Sequence, residues 1–100
     1  MNYDVVWPRS PRQIELAELA DRPASLEGVT VAFLWDYLFR GDEIFPILEK
    51  ELAARYPDMN FIAYQEFGTT HGAGEAELVA ALGDRLRELG ADAIVSGMGC

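Results

Sequence analysis

The strongest constraint on the fold is an alternation of three short apolar segments with two longer segments of helical periodicity. The apolar segments are residues 30–35, 60–65 and 93–95, and the first is a continuous apolar run too short for a helix. Such a run is typical of a strand that is buried on both faces of a sheet. The helical segments between them are long enough for crossover connections, which predict parallel strands joined by right-handed crossovers.

The predicted fold is therefore a three-layer α/β domain with a parallel sheet and the order β-α-β-α-β, like half of a Rossmann-like or flavodoxin-like domain. We assign residues 29–100 to this domain and residues 1–28 to an N-terminal arm. Three strands are few for such a sheet, and no helix follows the third. We therefore expect the fold to be incomplete, with a face or edge near residues 93–95 left uncovered.

The N-terminal arm carries short apolar groups interrupted by proline. Val5, Val6 and Trp7 are predicted to make an extended contact that ends at Pro8, and residues 14–20 are predicted to form one or two helical turns. Terminal segments are often peripheral, so we expect the arm to pack over the domain or over a neighbouring molecule.

Two helices are predicted from apolar residues at helical spacing. Proline is tolerated only in the first turn of a helix, so Pro46 restricts the start of the first helix to residues 42–45. Asp42 is then a candidate cap. The second helix is predicted to run from about residue 75 to 89, and Gly90 suits the left-handed conformation that ends a helix.

Composition and charge exclude several classes of function. The net charge is −9 and the 8 basic residues are spread singly, so no basic patch favours nucleic acid. No apolar run approaches the roughly 20 residues that span a bilayer, and the N-terminus lacks the basic start and long apolar centre of a signal peptide. We therefore predict a cytoplasmic protein that binds neither nucleic acid nor membrane.

The cysteine count limits the chemistry further. The chain has 1 cysteine, which cannot form an internal disulfide, and no cluster of side chains has structural-zinc spacing. We predict no metal and no cofactor. A functional thiol would need a partner outside these residues.

The carboxyl ends of parallel strands meet at one edge of the sheet, where α/β proteins bind their ligands. The residues that follow the three strands form the candidate site: Asp36, Thr69, Thr70, His71, Ser96, Gly97, Gly99 and Cys100. We predict Cys100 as the catalytic residue and the other seven as substrate-binding residues.

Each candidate also has an interpretation without function. Cys100 can be an inert terminal thiol, and Gly97 and Gly99 can serve only a tight turn. His71 can act as a general acid or base or as a thiolate partner, or it can be a solvated loop residue. Asp36 can bind a ligand hydroxyl or cap a helix.

The threonines of the second loop have a further alternative. Thr69 and Thr70 stand beside glycines before a helix, where backbone N–H groups can hold an anion. The acidic residues nearby argue against that interpretation. No serine–histidine–aspartate or metal-ligand spacing is recognisable.

Three segments of the sequence resemble the UGSC family, in the same order along the chain. They are RPASLEGVTVAFLW at residues 22–35, GDEIFPILE at residues 41–49 and DAIVSGMGC at residues 92–100. In that family, a strand of the type Asp-Ala-Val-Ile-x-Gly-x-Gly leads into a loop with selenocysteine or cysteine followed by Gly-Ser-Cys. The strand and the glycine loop carry most of the resemblance.

The resemblance implies that this four-residue motif begins at Cys100 or directly after it. Selenocysteine is encoded by UGA, and a UGA codon taken as a stop would end the sequence at this place. We therefore expect the chain to be the N-terminal part of a longer selenoprotein or cysteine homologue, and a real stop codon is the alternative. The nucleotides after the codon for Cys100 distinguish the two.

The resemblance also implies reductive chemistry that depends on a thiol or selenol. Two chalcogen groups separated by two residues can form an internal bridge, as in redox Cys-x-x-Cys motifs. Without the second group, the chain alone is expected to be inactive. The competing hypothesis is a non-catalytic α/β binding or partner subunit completed by another chain. A homo-oligomer and a small-molecule substrate are compatible with the sequence.

Overall fold

The structure, a computed structural model, describes residues 1–9 and 14–98. Its elements within these residues are β1 (Thr30–Trp35), α1 (Gly41–Arg55), β2 (Asn60–Ile62), a 3₁₀ helix (Tyr64–Glu66), α2 (Glu75–Glu88) and β3 (Ala93–Gly97). The strands are parallel and lie in the order β2-β1-β3, with β1 in the centre. The predicted α/β fold with a parallel sheet is confirmed.

The larger core lies between the sheet and α1. Its buried members are Val29, Val31, Phe33, Trp35, Phe45 and Met59. Phe33 is 1% exposed, and its ring centroid lies 5.2 Å from that of Phe45 and 6.0 Å from that of Phe61. Because aromatic side chains bury large apolar areas, this face contributes most of the hydrophobic stabilisation of the domain.

The second core lies on the opposite face of β1, because successive side chains of a strand point to opposite faces. Ala32 and Leu34 are buried there with Phe67, and leucines of α2 pack against them. None of the described side chains of α2 itself is buried, so α2 covers its face less completely than α1 does. The two helices lie on opposite faces of the sheet, which gives the predicted three layers.

The strand bounds differ from prediction at two places. β2 ends at Ile62 instead of residue 65, because the chain turns into the 3₁₀ helix at Tyr64. β3 continues to Gly97 instead of ending at residue 95, because it pairs with β1 as far as Trp35 and Gly97. Long-range pairing decides where these strands stop, and the local sequence pattern does not show it.

The start of α1 was predicted wrongly. The helix begins at Gly41, and Pro46 lies inside it beyond the first turn. Since proline has no N–H, the carbonyl of Asp42 receives no helical hydrogen bond from Pro46. Arg40 is the residue before the helix, so Asp42 is not the cap and lies in the first turn. Its negative charge there is favourable at the positive end of the helix dipole.

The end of α2 follows the prediction. α2 ends at Glu88, close to the expected residue 89. Gly90 has a φ of 73°, in the left-handed region where glycine alone has no steric penalty from a Cβ atom.

Residues 1–9 and 14–20 of the arm, which the structure describes, do not pack over their own domain, which was one of the two expected arrangements. Val5, Val6 and Trp7 are 89%, 91% and 75% exposed, and residues 14–20, which the structure describes, form no helix. The principal-axis extents of the chain are 71, 29 and 24 Å. In a single copy of the chain, the apolar side chains of the arm therefore remain in water.

Candidate functional site

Asp36 connects the loops that follow β1 and β3 at the carboxyl edge of the sheet. Its N–H donates to the carbonyl of Gly97 at 3.2 Å, which continues the pairing of the two strands. Its carboxylate Oδ1 accepts hydrogen bonds from the N–H groups of Leu38 and Met98, each at 3.2 Å. The predicted alternative that Asp36 caps a helix is therefore wrong. The carboxylate instead holds two loops together.

Thr69 brings the loop after β2 to the same place. Its Oγ1 lies 3.2 Å from the carbonyl oxygen of Asp36 and 3.1 Å from that of His71. It also accepts a hydrogen bond from the N–H of His71 at 3.1 Å. A hydroxyl has one hydrogen to donate, so the two carbonyl groups share it. Asp36 and Thr69 thus join all three loops, as the parallel topology predicts.

The neighbours of Thr69 are less fixed. Thr70 is partly buried and His71 is exposed. Within the described part of the chain, neither side chain has a hydrogen-bond partner, and only the backbone of His71 is bound, through Thr69. The imidazole is therefore open to solvent at the edge where the three loops meet.

The residues of the third loop divide into two groups. Ser96 and Gly97 lie in β3, where an exposed Ser96 alternates with a partly buried Gly97. Gly99 and Cys100 lie outside the described residues. The hydrogen bond from Met98 to Asp36 is thus the last described contact before the predicted catalytic cysteine.

An aromatic cluster borders this edge and was not among the predicted site residues. The ring of Trp35 stacks on Tyr37 at 4.5 Å and meets Tyr64 edge-on at 4.9 Å between centroids. The indole Nε1 donates to the carbonyl of Leu38 at 2.9 Å. Tyr37 lies two residues after the end of a buried strand, which could have marked it as a site residue. Nothing local to Tyr64 predicts that it would join the same cluster.

The loop after β1 is tightly packed around the indole. Tyr37 and Phe39 have φ values of 62° and 61°, in the left-handed region that non-glycine residues seldom adopt. Gly41 is buried against Trp35, and a Cβ atom on Gly41 would lie 2.6 Å from Cε2 of the indole. The loop can therefore adopt this conformation only with glycine at position 41.

Replacing Asp36 by alanine is expected to lower the free energy of unfolding by about 1–3 kcal/mol, because the N–H groups of Leu38 and Met98 lose their acceptor. Asp36→Asn keeps an oxygen at the same position and is expected to cost less than half as much. Urea denaturation followed by circular dichroism measures both values. Equal losses in the two variants would contradict the hydrogen-bond explanation.

A parallel sheet with a helix on each face and three loops joined at its carboxyl edge defines a small three-layer α/β domain with its candidate site at that edge. The family model described as the UGSC family matches residues 4–100. The chain therefore belongs to the UGSC family, and the match includes most of the arm as well as the domain.

No curated protein sequence and no solved structure matches the chain. In the part of the chain that the structure describes, no helix is long and apolar enough to cross a membrane. The same residues contain no group of three or more histidine, cysteine, aspartate or glutamate side chains arranged to hold a metal.

Proposed function

We propose that the carboxyl edge of the sheet is the redox site of a thiol- or selenol-dependent oxidoreductase, with Cys100 as the attacking group. The observation that carries the proposal is the 3.2 Å hydrogen bond from the N–H of Met98 to Asp36. Two residues of backbone reach at most about 7 Å, so this anchor keeps Cys100 close to the joined loops. Membership of the UGSC family supports the same chemistry.

The proposed reaction is a two-electron thiol–disulfide exchange. The thiolate of Cys100 attacks one sulfur of an oxidised, disulfide-type acceptor, and the other acceptor sulfur leaves as a thiolate and takes up a proton. A second thiol, three positions further along the chain, then attacks the sulfur of Cys100. This step forms an internal disulfide and releases the remaining half of the acceptor as a thiol. The two protein thiols lose two electrons and two protons, which the acceptor gains.

The other predicted residues have separate roles in this proposal. Asp36 and Thr69 position the loops, because their hydrogen bonds are made within the protein. His71 is exposed, and its imidazole can exchange protons with the leaving thiolate as a general acid or base. The remaining candidates are proposed to contact the substrate: Thr70, Ser96, Gly97 and Gly99.

The proposal also concerns the cellular location. A thiol pair that must return to its reduced state needs a reducing compartment. We therefore propose that the protein works in the cytoplasm and acts on a small molecule.

The test is to extend the chain by Gly-Ser-Cys after Cys100, which completes the family motif in its cysteine form. Mild oxidation is expected to convert both thiols of the extended chain into an internal disulfide, which thiol titration and intact-mass measurement detect. The reduced form is expected to reduce bis(2-hydroxyethyl) disulfide. The 100-residue chain has 1 cysteine and is expected to show no such turnover.

An extension by Gly-Ser-Ser is the matched control, since it has the same length and only one thiol. If both extended chains reduce the model disulfide at the same rate, the proposed redox site is wrong. The proposed redox site is also wrong if the Gly-Ser-Cys chain forms disulfides only between molecules.

A second candidate function is a non-catalytic binding or partner subunit, and a different observation favours it. The domain leaves apolar side chains exposed at its edge and on its arm, where Ile94 is 48% and Trp7 is 75% exposed. Apolar groups exposed in this way mark interaction surfaces in many proteins. Formation of a stable complex by a chain with no thiol activity would favour this function.

A further inference from the structure

The outer edge of β3, on the side away from β1, is not covered on either face of the sheet within the described part of the chain. β3 pairs with β1 along Ala93–Gly97, and its other side meets no strand within the described residues. Ile94 is 48% exposed, as expected from the predicted lack of cover near residues 93–95. A strand edge with unpaired N–H and C=O groups is a template for another strand.

α1 extends this open edge on one face of the sheet. Asp42 and Glu49 of α1 line a groove with Tyr64, on the side of β2. Ile44 and Ile47 lie on the other flank of the helix, because successive residues turn by about 100°. They are 43% and 63% exposed, and their flank faces the side of β3.

α2 extends the edge on the opposite face in the same way. Glu77 and Arg85 line a groove beside Phe67, on the side of β2. Val79 is turned by about 200° from Glu77, so it lies on the flank toward β3, where it is 53% exposed. We call Ile44, Ile47, Val79, Ile94 and the outer edge of β3 the β3-edge surface.

The N-terminal arm has the chemistry to cover the β3-edge surface. Tyr3, Val5, Val6 and Trp7 are β-branched or aromatic, the side chains that favour strands. All four are at least 75% exposed, so within the described residues they have little contact with their own chain. Residues 1–9 and 14–20 of the arm are exposed throughout, so their apolar groups are accessible to a second molecule.

We propose that the arm of one copy adds to the outer edge of β3 in a second copy, and that two copies exchange arms in a symmetric dimer. Each aromatic side chain of the arm can bury on the order of 150–250 Å². Two exchanged arms with the two edges that they cover bury on the order of 1,600 Å², which is the size of a standard stable interface. The inference does not depend on the redox proposal, because the outer edge of β3 is distinct from its carboxyl end.

The first test is the oligomeric state of the full chain by sedimentation velocity over a range of concentrations. The unmodified chain is expected to be a dimer, and the double change Val5→Asp and Trp7→Asp is expected to weaken it at least tenfold. Ile94→Lys changes the β3 edge that receives the arm, and it is also expected to weaken the dimer at least tenfold. Leu16→Asp is the matched control, because Leu16 is 98% exposed and lies outside the proposed contact.

Three outcomes would overturn the proposal. They are a monomeric unmodified chain, a dimer that survives both the arm and the edge changes, and a dimer that Leu16→Asp disrupts equally. Thermal melts by circular dichroism are expected to match the unmodified domain, since each changed side chain is at least 48% exposed.

A second test locates the contact independently of dimer stability. Two variants in a Cys100→Ser background carry Val6→Cys and Ser96→Cys respectively, and a short bis-maleimide links thiols that lie close together. Mixing the variants is expected to give a cross-linked heterodimer. A chain with both changes that instead links internally, and stays monomeric, would show that the arm folds onto its own edge and would overturn the exchange.

Discussion

Replacing Phe33 by alanine is expected to lower the free energy of unfolding by about 3–5 kcal/mol. Phe33 is 1% exposed, and its ring packs between Phe45 and Phe61 at the centre of the larger core. The change removes the apolar area of the ring and leaves a cavity between Phe45 of α1 and Phe61 of β2. These two residues are held by their helix and strand, so they cannot move together to fill the cavity. Small domains have little stability to spare, so much of the variant is expected to be unfolded at 25 °C.

Phe39→Ala is the matched control, because it removes the same ring from a surface position. Phe39 is 69% exposed, and its loss is expected to change the free energy of unfolding by no more than about 0.5 kcal/mol. Urea denaturation of both variants, followed by far-ultraviolet circular dichroism, gives the comparison. Similar losses at the two positions would contradict the core described above.

Gly41→Ala is expected to lower the free energy of unfolding by about 1–3 kcal/mol, because the added methyl group has no space. Its Cβ would lie 2.6 Å from Cε2 of Trp35. The indole must then move and lose its 2.9 Å hydrogen bond to the carbonyl of Leu38. Fluorescence in a Trp7→Phe background, where Trp35 is the remaining tryptophan, is expected to show the displaced indole as a shifted emission maximum.

The same substitution at Gly83 is expected to have the opposite sign. Gly83 lies inside α2, and the nearest atom to an added Cβ is Nη1 of Arg87 at 3.6 Å, at the end of a flexible side chain. Alanine restricts the unfolded chain and favours a helix over glycine, so a gain of about 0.5–1 kcal/mol is expected. If Gly41→Ala and Gly83→Ala both lower the free energy of unfolding, the explanation of Gly83 by helix propensity is wrong.

Asp36 links the stability of the domain to its proposed chemistry. Its carboxylate holds the N–H of Met98, just before Cys100 in the chain, and the N–H of Leu38 in the loop after β1. A change at Asp36 therefore alters the support of the cysteine loop as well as the free energy of unfolding. In the extended chain, comparing Asp36→Asn with Asp36→Ala measures the acceptor role of the oxygen, and comparing Asp36→Asn with the unmodified residue measures the role of the charge.

Local sequence pattern was enough to predict the order of elements and the parallel sheet. The continuous apolar run at residues 30–35 predicted β1 with its correct bounds and its burial on both faces. Gly90 predicted the end of α2, because a φ of 73° is a property of that residue and its immediate neighbours. Apolar periodicity and glycine conformation are local, so a sequence displays them directly.

Only the tertiary structure determines which residues meet at the candidate site. Asp36 meets Met98 across 62 residues, and Trp35 meets Tyr64 because β1 and β2 are neighbours in the sheet. Position 41, where α1 begins, needs glycine because the indole of Trp35 occupies the space beside it. These contacts depend on which loops the sheet brings together, and residues distant in sequence carry no local mark of the partner that they will meet.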